Sequence, residues 1–245
     1  MVVIKLLQRL KYLLRKLALW FIPETIQWSI RSAALEEVNI SYAQEGEDLI
    51  LSRLIGMKPE GFFVDIGAHD PKRFSNTYRF YQLGWRGINI DPLPGMKSRF
   101  DAIRPEDINV EAAIGPKGSA MQYYMFNEPA LNTFDGAEAR KKATIAPYKI
   151  IDTLAIQCLS LEDVFINNDI GLNQPIDFLS IDVEGFEMEV LQQINFHIFR
   201  PTVIALEELG TNVFAQERSA AGKYLEQSGY QLSARTVNTS FYVKR

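Results

Sequence analysis

The sequence predicts a doubly wound α/β domain on a mostly parallel sheet, and three observations carry that expectation. From Ser41 onward, segments of strand character alternate with segments of helical period, the pattern of strand–helix–strand units covered on both faces. Two of the strand segments, 61–66 and 176–182, are near-continuous apolar runs, as strands buried on both faces are. At 245 residues the chain suits one well-buried domain with a little left over, and is too short for two of ordinary size.

Taken in order, residues 3–20 place Val3, Leu6, Leu7, Leu10, Leu13, Leu14 and Leu17 on one helical face, with Lys5, Arg9, Lys11, Arg15 and Lys16 opposite. The run from Leu17 to Ile22 is far short of the roughly 20 apolar residues that cross a bilayer. An amphipathic basic helix of this kind lies on an anionic membrane surface, or packs on the domain or a second subunit; Pro23 ends it. The domain proper is expected at 41–245, after an N-terminal segment at 1–40. Its helices are expected near 46–55, 76–83, 95–103, 186–194 and 213–228. Its strands are expected at 61–66, 87–91, 108–114, 155–159, 176–182, 202–207, 230–235 and 241–244. Ser160 and Asp163 have the spacing of a capping box opening a further helix. Residues 119–143 break the alternation with an extra strand at 121–126 and a short helix, an insertion beside the site.

Composition narrows the function. Hydrophobic residues at 47% and charged residues at 23% describe an ordinary globular enzyme. The net charge is -4, and removing the five bases of the first twenty residues leaves 21 basic against 30 acidic residues. An acidic body is a poor binder of nucleic acid, which needs clustered lysine and arginine. The single cysteine, Cys158, excludes an internal disulfide framework and multi-cysteine zinc sites, and reads as a buried strand residue in a reducing, cytoplasmic compartment.

The chemistry collects at strand ends, where open α/β sheets bind their ligands. The first strand runs into Asp65-Ile-Gly67: the glycine permits close backbone approach, and Asp65 can hold a cationic amino group. A pyrophosphate loop would continue with glycines where His69 and Lys72 stand, which disfavours a nicotinamide dinucleotide and an NAD-dependent oxidoreductase. Asp91 ends the next strand 24 residues after Gly67, close to the separation of about 20 at which an acid takes two ribose hydroxyls. Asp182 and Glu184 follow the strand at 176–182, and Glu207 and Glu208 end the strand at 202–207. Buried structurally, such acids are costly without partners, so they are expected to solvate the rim, orient a substrate or bind a hard cation.

Several spaced motifs resemble the FkbM-type branch of the class I S-adenosylmethionine-dependent methyltransferases. They are Tyr42-Ala-Gln-Glu-Gly-Glu-Asp48, Phe63-Val-Asp-Ile-Gly-Ala68, Ser75-Asn-Thr77, Gly84-Trp-Arg-Gly-Ile-Asn-Ile-Asp-Pro92, Ala112-Ala-Ile-Gly115 and Phe178-Leu-Ser-Ile-Asp-Val-Glu-Gly-Phe-Glu187. The resemblance implies a Rossmann-like, seven-stranded sheet with one antiparallel strand and S-adenosyl-L-methionine as cofactor. Asp65, Gly67 and Ala68 would then meet its methionine part, Asp91 its ribose, and Glu111 or Ala112 its adenine, with Gln44, Glu47 and Asp48 closing over it. It suggests a hydroxyl on a sugar, glycan or natural product as acceptor.

A hydroxyl acceptor must lose a proton. His69 is the expected general base, with Glu184 as the second choice and Asp182 beside it; His197 reads as structural. Tyr78, Phe80, Tyr81 and Trp85 read as core, and Tyr123, Tyr124 and Phe126 as walls of an acceptor pocket. Asp182, Glu207 and Glu208 form an oxygen-only set that suits Mg2+. A membrane-associated adapter with a degenerate cofactor fold is the non-enzymatic alternative, disfavoured by the intact acids.

Overall fold

The computed structural model describes residues 39–56, 58–209 and 219–245. The expected basic helix at 3–20 and the first part of the expected helix at 213–228 lie outside them. Ser41–Arg245 forms one compact unit. Its elements are α1 (Glu47–Ile55), β1 (Phe62–Ile66), α2 (Tyr78–Gln82), β2 (Arg86–Asp91), α3 (Met96–Ile103), β3 (Ile108–Glu111), β4 (Ala113–Ile114) and β5 (Ala120–Phe126). A 3-10 turn at Pro129–Leu131 precedes α4 (Gly136–Lys142), β6 (Ile150–Leu159), α5 (Leu161–Asn167), β7 (Phe178–Ile181) and α6 (Glu187–Gln192). The chain closes with β8 (Val203–Glu207), α7 (Ala220–Gln227), β9 (Tyr230–Arg235) and β10 (Thr239–Lys244).

Seven strands form the main sheet in the order β3-β2-β1-β7-β8-β10-β9, all parallel except β10, which runs against both neighbours. Alternate side chains leave opposite faces of a strand, and the core divides accordingly. Val64, Ile88, Leu179 and Ile204 face one layer with Val164 and Phe165 of α5, Leu191 of α6 and Leu225 of α7. Phe63, Phe178, Val203 and Phe241 face the other with Leu51 of α1 and Phe80 of α2. Both faces of the sheet are therefore covered, which is why β1 and β7 carry no polar alternation. Phe178 is fully buried in an aromatic cluster, its ring centroid 5.6 Å from Phe63 and 4.7 Å from Phe80. Tyr78, Phe80 and Trp85 are buried, as their helical and turn positions predicted.

Two segments depart from the sequence reading. The single strand expected at 108–114 breaks at Ala112: β3 pairs with β2 as far as Asp91 opposite Glu111, while β4 leaves the main sheet and pairs with β6. Strand β6 begins at Ile150, not at residue 155, because its partner β5 extends the ladder back to Ile150 opposite Phe126. The insertion thus adds a three-stranded sheet, β4-β6-β5. Where the capping box was expected, the Ser160 hydroxyl accepts from the Asp163 amide and the Asp163 carboxylate accepts from the Ser160 amide, opening α5.

The aromatic cluster gives the first expected outcome. Phe178→Ala should cost about 3–5 kcal/mol of stability, since neighbours on three elements cannot all collapse into the void. Urea unfolding followed by tryptophan fluorescence measures it, and a loss below about 1 kcal/mol would contradict the packing.

Candidate active site

Parallel register brings the ends of β1, β2, β7 and β8 to one edge of the sheet, with Ile66 opposite both Ile90 and Ile181, and Ile181 opposite Leu206. Each strand carries a carboxylate at or next to that end: Asp65, Asp91, Asp182 and Glu207. After β1 the chain turns at Gly67, whose φ of +83° is left-handed. A Cβ at this position would fall 1.7 Å from the Asp182 carbonyl oxygen, so a side chain is excluded by contact as well as by conformation. The Gly67 and Ala68 amides both donate to the Ile90 carbonyl, at 2.9 and 3.1 Å, folding the loop over the end of β2.

Asp91 anchors that loop. Its Oδ2 accepts from the His69 amide and its Oδ1 from the Leu93 amide, both at 2.9 Å. Each oxygen keeps a further lone pair for a ligand. Burial raises its pKa to about 6, and the nearby charges of Asp65 and Glu111 add to that, against the two amide hydrogen bonds.

These loops line a cavity open to solvent. Asp65, Gly67, Ala68, His69 and Asp91 lie along one wall; Gln44, Ala112, Asp182 and Glu184 also reach it. Glu47, Asp48, Glu111, Glu207 and Glu208, also expected there, do not. Asp48 is buried and accepts from the Ser41 hydroxyl and the Tyr42 amide, holding the start of α1 instead. Glu47 is held likewise by the Glu45 amide and the Thr239 hydroxyl. Glu111 points outward to the Gly95 amide, while its neighbour Ala112 lines the cavity. Glu208 turns to the opposite face of β8, where it accepts from the Tyr242 and Ser219 hydroxyls, because successive strand residues alternate.

The acidic trio that does converge is Asp182, Glu184 and Glu207, with carboxylate oxygens within 4.8 Å of one another. This corrects the expected cation set, in which Glu208 stood where Glu184 belongs. Burial raises the pKa of both Asp182 and Glu207 strongly, with the Glu184 carboxylate adding to the rise of Asp182 and the Asp182 carboxylate to that of Glu207. Glu184 is raised by burial but drawn back by Lys142, whose ammonium sits 2.5 Å from Oε2 with 8% of its side chain exposed. The Thr133 hydroxyl holds the Glu184 carbonyl at 2.8 Å. Both partners come from the insertion.

His69 has a left-handed backbone, φ 54°, and its ring stacks near Phe74, which lines the same cavity. Burial lowers the imidazole pKa, keeping the ring neutral, and Nε2 has no hydrogen-bond partner. His197 is exposed and does not line the cavity. Tyr123 lines the cavity, but Tyr124 and Phe126 do not; Phe134 and Phe186 complete that side. Sequence reasoning missed Phe74, Asn132, Phe134 and Phe186. Phe186 lay within a quoted motif and Phe74 beside one, while nothing local marks the insertion residues as cavity-facing.

The donor set fits S-adenosylmethionine. Asp91 presents lone pairs where a ribose diol would sit, the Gly67–Ala68 backbone lines the cavity beside it, and Ile90, Leu93 and Ile114 offer apolar walls for a nucleobase. Asp65, buried behind the loop, offers a negative charge to an ammonium group.

A profile described as the methyltransferase FkbM domain matches residues 65–232. A comparison with curated proteins finds no match. Among solved structures, a precorrin-6Y C5,15-methyltransferase from Geobacter metallireducens is similar at 12% identity and a TM-score of 0.41, over 84% of this chain and 91% of that one. A TehB-like SAM-dependent methyltransferase from Corynebacterium glutamicum has 11% identity and a TM-score of 0.40, over 91% and 98%. The C-terminal domain of the precorrin-6Y enzyme from Rhodobacter capsulatus has 10% identity and a TM-score of 0.38, over 80% and 85%. With the profile spanning well over half its length and the cavity fitting the cofactor, the chain belongs to the FkbM family of S-adenosylmethionine-dependent methyltransferases.

Proposed function

We propose that this methyltransferase acts on a hydroxyl group of a sugar, glycan or natural product, with His69 as the proton acceptor. The observation that supports it is the neutral imidazole, with an unpartnered Nε2, on the wall that also holds Asp91 and the Gly67 turn. S-adenosylmethionine, when bound, supplies an electrophilic methyl group on a cationic sulfur. Asp91 accepts from the ribose hydroxyls, and Asp65 faces the amino group. Tyr123, Phe134 and Phe186, which line the same cavity, exclude water from it. Positioning two reactants carries most of such a reaction, and His69 takes the proton that the acceptor oxygen gives up.

The second reading adds Mg2+ at Asp182, Glu184 and Glu207, favoured by the convergence of their oxygens and opposed by the Lys142 ammonium already on Glu184. For residues 3–20 the reading is peripheral attachment to an anionic membrane; no helix among the described residues is long and apolar enough to cross one.

Asp91→Ala should weaken S-adenosylhomocysteine binding by about 1.5–3 kcal/mol in calorimetry. Because the ribose contact needs the carboxylate and burial raises its pKa to about 6, wild-type affinity should hold above that value and decline as the pH falls through it.

His69→Asn, which tolerates the left-handed backbone, should lower kcat about 100-fold or more while leaving that affinity near wild type. Since the imidazole pKa is depressed, wild-type turnover should persist below the usual histidine range and fall only at lower pH. Unchanged kcat would remove His69 from the proton path. The same assay in EDTA tests the second reading, which full turnover excludes.

Full-length protein should float with anionic vesicles, each base near the surface adding about 1 kcal/mol, and a chain starting at Glu24 should not. Equal flotation of the two leaves the helix to packing or dimerisation.

A further inference from the structure

Arg104 follows α3 and is fully buried, although an arginine is the side chain that surface positions accommodate most easily. Its Nε and Nη2 lie 2.8 and 2.7 Å from Asp107 Oδ2, a carboxylate with no exposed side-chain surface. The guanidinium sits 5.2–5.5 Å from the ring centroids of Phe63, Tyr81 and Phe100. Neither Arg104 nor its neighbour Thr77 lines the cavity. A buried ion pair alone adds little to stability over an apolar replacement, so this one calls for a further account.

The hydrogen bonds supply it. Arg104 Nη1 donates to Thr77 Oγ1 at 3.0 Å, and Thr77 Oγ1 donates to Asp65 Oδ2 at 2.9 Å. The direction of this chain is fixed, because a guanidinium has no acceptor and an ionised carboxylate no donor. On the other side of Asp65, the Ser180 oxygen already accepts from the Asn76 amide at 3.1 Å, which leaves its hydroxyl hydrogen for Asp65. Asp65 is thus met by two hydroxyl donors, one of them backed by a full positive charge. Burial remains the largest influence and leaves its pKa above the usual carboxylate range; the two hydroxyls and Arg104 work against that rise, while Asp107 near Arg104, Asp91 on β2 and Asp182 after β7 add to it.

We propose that Arg104 is a positioning residue which, through Thr77, orients the Asp65 carboxylate toward the cationic amino group of the methyl donor. The proposal rests on reading the cavity as the S-adenosylmethionine site. It assigns a selectivity: the Arg104–Thr77–Asp65 chain recognises the amino-acid end of the donor and ignores its nucleoside end.

Arg104→Met strips the partner from buried Asp107 and risks unfolding, so the decisive variant is Thr77→Val, which keeps the side-chain shape and leaves the Arg104–Asp107 pair intact. Calorimetry on the full-length protein would compare S-adenosylhomocysteine with methylthioadenosine, which lacks the amino acid. Thr77→Val should weaken the first by about tenfold at neutral pH, as expected for a lost bond to a charged group, and leave the second within about twofold. The loss should shrink as the pH rises and Asp65 ionises unaided, and Thr77→Ser should restore the wild-type ratio. Equal weakening of both ligands, or no change in either, overturns the proposal and leaves the chain as packing. Failure of the wild-type protein to bind S-adenosylhomocysteine overturns the reading of the cavity itself, a result distinct from a wild type that binds and a variant that behaves the same.

Discussion

The contact on which the site depends is the approach of Gly67 to the carbonyl oxygen of Asp182. There is no room between them for a single carbon, and the left-handed turn at Gly67 sends the chain back over β2. That one approach places the loop after β1 against the end of β7. Asp182 and Glu184 therefore face the same cavity as His69 and Asp91. Any side chain at position 67 would push the two strand ends apart and with them the two halves of the cavity.

Gathering carboxylates at one edge of a sheet creates repulsion and desolvation that must be offset one by one. The protein uses a different device for three of them. Asp91 accepts two backbone amides, Glu184 has a buried lysine, and Asp65 has hydroxyls backed by Arg104. Asp182 and Glu207 have no such partner among the described residues, and burial pushes both of their pKa values up. The insertion is part of this arrangement: Lys142 and Thr133, which hold Glu184, both belong to it, as do Tyr123 and Phe134 on the cavity wall. A segment that interrupts the strand–helix alternation thus supplies one side of the site and the only cation among the described residues bonded directly to its acidic trio.

Backbone strain concentrates in the same place. Of the four non-glycine residues with positive φ among those described, His69, Phe74 and Glu184 line the cavity, and only Asp169 lies elsewhere. A phenylalanine in this conformation is costly and persists only where its surroundings impose it. Here Arg73 lies 4.2 Å over the Phe74 ring and pairs with Glu128 of the insertion, bracing the loop from outside.

By itself the sequence determined the sheet, because apolar runs such as Phe62–Ile66 and Phe178–Ile181 can be satisfied only between two helical layers. It also determined the strand-end residues Asp65, Gly67, Asp91 and Asp182, since a parallel strand delivers its C-terminal neighbour to the binding edge whatever else the chain does. Tertiary structure decided what depends on side-chain direction and distant partners. Glu207 and Glu208 are adjacent in sequence yet face opposite layers, and only the pairing of β8 between β7 and β10 settles which one joins Asp182. Asp48 and Glu111 carry the right chemistry but are drawn to nearer amides. Arg104, Lys142 and Phe134 show no local pattern at all; 27 residues of chain separate Arg104 from Thr77 and 42 separate Lys142 from Glu184, and contacts across such spans exist only once the sheet and its insertion have packed.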